Sequence, residues 1–67
     1  MQIKDENKNT IPSGYRVHSE GLDFKEAKEK GDVLERSGKS VILYRIHVFG
    51  GMPERNLGTL YDIYTKD

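Results

Sequence analysis

Apolar positions are sparse over the first twelve residues and then fall into two distinct rhythms. From Met1 to Pro12 the chain is mostly polar, with Ile3 and Ile11 as apolar anchors. This predicts a flexible N-terminal tail over residues 1–13, with a short edge strand near Ile3 as the alternative. Pro12, Ser13 and Gly14 punctuate the start of a single folded domain over residues 14–67. Tyr15 to Ser19 alternate with a period of two, Tyr15 and Val17 against Arg16 and His18, as a strand does.

The rhythm then changes to that of a helix. Asp23 followed by Glu26 fits a capping box, with Leu22 and Ala27 placed for a hydrophobic staple. Phe24, Ala27, Gly31 and Leu34 share one face at a spacing of 3.6 residues. Glu26 with Lys30, and Asp32 with Arg36, are favourable i,i+4 pairs, and Gly38 suits the left-handed position that ends a helix. Gly31 opposes continuity, because a mid-helix glycine costs about 1 kcal/mol relative to alanine. A continuous helix is the expectation. A second cap at Asp32, or a strand over residues 32–36, are the alternatives.

Residues 40–49 form the strongest strand signal, β-branched and aromatic with apolar side chains on both faces. Gly50 to Asn56 form a loop with Met52 and Pro53 at its tip, and residues 57–64 return as an antiparallel strand. The expected fold is α+β, in the order β-α-β-β, with one helix packed on one face of a three-stranded sheet. If the strands flanking the helix lie parallel in one sheet, their crossover should be right-handed.

Alternation divides the strands between two faces. Tyr15, Val17, Ile42, Tyr44, Ile46, Val48, Leu57, Tyr61 and Ile63 are expected under the helix. Arg16, His18, Val41, Leu43, Arg45, His47, Phe49, Leu60, Asp62 and Tyr64 fall on the other face, which nothing in a β-α-β-β chain covers. A shift of one residue would exchange a whole strand between faces. Apolar and aromatic groups interleaved with arginine have the composition of an interface. The bland alternatives are packing against the N-terminal tail or single exposure, which is normal for soluble proteins.

Composition sharpens this expectation. Of 67 residues, 34% are hydrophobic and 33% charged, a lean supply for a core. With no cysteine, disulfides and thiolate zinc sites are excluded, so oligomerisation or docking becomes the remaining way to bury more surface. Eleven Lys and Arg balance eleven Asp and Glu. Neutrality argues against a dedicated nucleic-acid binder, whose affinity comes mainly from phosphate neutralisation. No apolar run matches a membrane span or a signal-peptide core, which points to the cytoplasm.

Candidate chemistry is thin. Ser37-Gly38-Lys39-Ser40 resembles the end of a phosphate-binding loop, but Val33 stands where that loop needs glycine, and a strand follows instead of a helix. His18, His47 and Asp62 could meet on one face, yet they lack a metal-ligand spacing, and no metal or other cofactor is expected. No nucleophile, base and oxyanion hole can be assembled, so an enzyme is not expected.

The composition, size and strand pattern suit a small accessory protein of the kind common in bacteria and phages. The expected function is non-enzymatic binding of a protein partner or of a second copy, as an adaptor, inhibitor or regulatory subunit. The expected contact residues are Arg16, Leu43, Arg45, His47, Phe49, Met52 and Tyr64. A single-stranded nucleic acid stacked on Tyr44, Phe49 and Tyr64 beside Arg16 and Arg45 is the alternative.

Overall fold

A computed structural model describes residues 1–6 and 10–67. Among these residues, four strands and one α-helix follow in the order β1 (Gln2–Asp5), β2 (Arg16–Leu22), α1 (Phe24–Arg36), β3 (Ser40–Gly50) and β4 (Arg55–Lys66). The sheet has four strands in the order β1-β3-β4-β2, with β1 parallel to β3 and the other two pairings antiparallel. Two expectations change here. The fold is α+β, but its sheet is four-stranded, and part of the expected tail supplies the extra edge strand. Asn7, Lys8 and Asn9, also assigned to that tail, lie outside the described residues.

Since β2 and β3 both oppose β4, the strands flanking the helix run parallel to each other, with β4 between them.

The helix begins and ends as its sequence dictates. The Asp23 carboxylate accepts the Glu26 backbone N–H at 2.7 Å, and Lys30 lies 3.5 Å from Glu26. At the C-terminus the Lys39 N–H donates to the Leu34 carbonyl and the Gly38 N–H to that of Glu35, a Schellman closure with Gly38 at φ +96°. α1 is continuous through Gly31. A Cβ there would stand 2.5 Å from the Met1 sulfur and 3.5 Å from Val41. The missing side chain makes room for the start of β1, which offsets the conformational cost of glycine.

The core has two layers. Ala27, Val41, Leu43, Tyr61 and Ile63 are buried beneath the helix, with Leu22 and Leu34 packed against them. On the opposite face Ile42, Tyr44 and Tyr64 are buried under Ile11 and Tyr15. The face expected to be open is therefore covered at its centre by the segment that leads into β2. The assignment of β3 is reversed: Val41 and Leu43 lie under the helix, whereas Ile42 and Tyr44 face away from it. Val41 through Leu43 are apolar without interruption, so alternation carried no sign of direction. The faces of Tyr61, Ile63 and Tyr64 in β4 are as expected.

β2 departs from regular pairing twice, between Val17 and Ser19 and between Ser19 and Leu22. At the second irregularity Gly21 adopts φ +68°, and its N–H donates to the buried carboxylate of Asp62 at 3.0 Å. These shifts break simple alternation. Val17 pairs with Tyr64 on the face away from the helix, while His18 borders a groove against α1.

Candidate interaction surface

The β3–β4 hairpin outruns everything packed against it. Its strands have 11 and 12 residues. At about 3.3 Å per residue each spans roughly 36–40 Å. The 13-residue helix reaches only about 20 Å. β1 pairs with β3 as far as Arg45, and β2 pairs with β4 as far as Tyr61. Beyond those points, Ile46–Gly50 and Arg55–Leu60 form a two-stranded ribbon, and among the described residues no other strand pairs with it. The turn is shorter than the expected seven-residue loop, because pairing extends to Gly50 and Arg55.

The ribbon carries apolar side chains on both faces. Ile46 pairs with Leu60 and Val48 with Gly58 on the face away from the helix. On the other face His47 pairs with Thr59, and the His47 and Phe49 rings lie with centroids 6.4 Å apart. The register shifts between Val48 and Phe49, which leaves Leu57 as an extra residue in β4. Its side chain reaches to 2.9 Å from where a Cβ of Gly50 would stand, so the glycine gives Leu57 space to lie across the ribbon. Phe49 and Leu57 are each more than half exposed, Leu60 is 38% exposed, and Met52 at the tip is fully exposed.

The sequence-derived contact residues separate into four groups. His47, Phe49 and Met52 lie together on the ribbon and its tip. Leu43 is fully buried beneath the helix and Tyr64 is buried on the opposite face, so neither lies on an exposed surface. Arg45 sits where the ribbon leaves the body, its guanidinium 3.2 Å from the Asp5 carboxylate. Its pKa is raised above the usual arginine value by the Tyr61 hydroxyl first and by Asp5 second. Arg16 lies at the other end of the sheet, opposite Thr65.

Sequence reasoning placed exposed Leu57 and half-buried Ile46 and Val48 under the helix, and so missed them as ribbon residues. The signal that could have found them is length, since a helix of four turns cannot cover two strands of this size.

His18 and His47 do not meet. His18 is 2.9 Å from the Ser19 hydroxyl and borders the α1 groove, His47 is 3.3 Å from the Thr59 hydroxyl on the ribbon, and Asp62 is engaged with Gly21. Among the described residues no three His, Cys, Asp or Glu side chains gather as a metal site. Among the same residues no helix is long and apolar enough to cross a membrane. Comparison with protein-family models, with curated proteins and with solved structures finds no match, so the surface is argued from this chain's own residues.

Proposed function

We propose that the chain is a non-enzymatic interaction protein whose contact element is the β3–β4 ribbon, and that a second copy of the chain is the partner its edge suits. The observation that carries this reading is the ribbon itself, with Phe49, Leu57 and Leu60 exposed around two strands that no helix covers among the described residues. Exposed apolar side chains gathered on both faces of one projecting ribbon favour a binding role over scattered single exposure.

The free edge of β3 favours self-pairing. Residues 46–50 carry no lysine, glutamate or proline, the devices by which natural edge strands resist association. An antiparallel two-fold centred on Val48 would set Val48 against its own copy and His47 against Phe49, joining the two ribbons by strand addition. Nucleic acid stacking is less favoured, because Tyr44 and Tyr64 are buried and Phe49 alone of the three proposed rings is exposed.

The test is Phe49→Glu and, separately, Val48→Glu, each compared with the parent by sedimentation and by far-UV circular dichroism. Self-association should fall at least tenfold in both variants while the helix signal is retained. Unchanged association in both would remove the ribbon from the contact.

A further inference from the structure

The end of the sheet opposite the ribbon gathers positive charge on a chain with none to spare. Arg16 begins β2, Lys39 precedes β3 and Lys66 ends β4. These segments are neighbours, since Arg16 pairs with Thr65 and Ser40 with Lys66. Together with Gly14, Thr65 and Asp67 they line a groove of about 420 Å³. Three cationic side chains and the Asp67 side-chain carboxylate therefore line a small concave site in a protein whose formal net charge is zero.

Gly14 shapes the site. It adopts φ +88°, which side chains rarely tolerate, and a Cβ there would come within 3.1 Å of the Lys66 Cε. The bare backbone lets the Lys66 stem lie across the turn. Glu35 is the other nearby acid, bordering a neighbouring groove with Lys39, but its carboxylate is 2.9 Å from the Met1 ammonium.

A second observation points to an oxyanion. The Asp67 carboxylate sits on Lys39 at 2.5 Å. Its pKa is lowered by the hydrogen bond from Lys39 first, with the Lys39 and Arg16 charges adding to the effect. Lys39 thus already holds one oxyanion belonging to the chain itself, at the mouth of the groove. We propose that this groove is an anion site for a phosphate group, either the free ion or a phosphodiester, and that Asp67 occupies it in the absence of phosphate. Arg16 can present paired N–H donors to two phosphate oxygens, and Lys39 and Lys66 act as point charges. The site is separate from the ribbon and does not depend on it.

The experiment is a titration of inorganic phosphate into ¹⁵N-labelled protein at low ionic strength. Saturable shifts are expected at the amides of Gly14, Arg16, Thr65 and Lys66. Asp67→Asn should tighten binding by about two- to fivefold, the range expected for removing one exposed competing charge. Lys39→Ala should weaken it by a similar factor. A parallel titration with a short thymidine oligonucleotide separates the two sources. Tighter binding with a steep dependence on salt assigns the site to a phosphodiester, and weaker binding assigns it to the free ion. Non-saturating shifts spread evenly over Lys25, Lys28 and Lys30 would overturn the proposal, as would an Asp67→Asn variant that binds no better than its parent.

Discussion

Tyr44 is buried on the face away from the helix, and among the described residues its hydroxyl has no hydrogen-bond partner. Leaving such a group unsatisfied costs about 1–3 kcal/mol. Tyr44→Phe keeps the ring, which meets Tyr64 edge-on at 5.1 Å, and removes the hydroxyl. The variant should be more stable by about 1 kcal/mol in urea denaturation. Burial, then the neighbouring Tyr64 and Tyr15, raise the Tyr44 pKa above its ordinary value. The folded state therefore holds this proton more tightly than the unfolded chain. The resulting stability is present below about pH 10 and is lost as the pH rises through the folded-state value. Tyr44→Phe should lose less stability than the parent between about pH 9.5 and pH 11. Equal losses would contradict the assignment. The burial of Tyr44 could be read from the sequence, but its face could not. Val41, Ile42, Leu43 and Tyr44 offer four apolar neighbours, and only the tertiary packing of Ile11 and Tyr15 decides which two face the helix.

At the scale of elements, α1 was readable from end to end because its signals are local: Asp23 caps it, Gly38 closes it, and Ala27 faces the core. β1 was only weakly readable, because all four of its residues are exposed and Ile3 is its one apolar side chain. Its position depends on pairing with β3, some forty residues away, and on the space at Gly31. The paired strand and helix make a prediction together. Gly31→Ala gains about 1 kcal/mol of helix propensity and displaces the flexible tip of Met1, so its thermal midpoint should move by no more than a few degrees. Gly31→Leu must also displace Val41, and overpacking of this kind costs about 2 kcal/mol. Similar melting of the two variants would mean that the helix face at Gly31 is not packed as described.

Across the whole molecule, the basic groove and the β3–β4 ribbon lie at opposite ends of the sheet. The long dimension is 44 Å against 25 and 15 Å, as expected of a small body with a ribbon projecting from it. The basic groove could not be read from the sequence, because Arg16, Lys39 and Lys66 are brought together only by the strand order. The ribbon was partly readable. Phe49, His47 and Met52 were singled out by their residue types, whereas Leu57 was obscured by the register shift beside Phe49. A lean core and a ribbon without a further paired strand among the described residues are the two grounds for the proposal that the chain completes its buried surface by association.

The most direct test of that central claim is the solution mass by light scattering over a hundredfold range of concentration, for the parent chain and for Phe49→Glu. The account predicts that the parent approaches twice its 7.7 kDa mass as concentration rises, while Phe49→Glu stays at the monomer mass. A parent chain that remains monomeric throughout, or a Phe49→Glu variant that dimerises equally well, would contradict self-association through the ribbon.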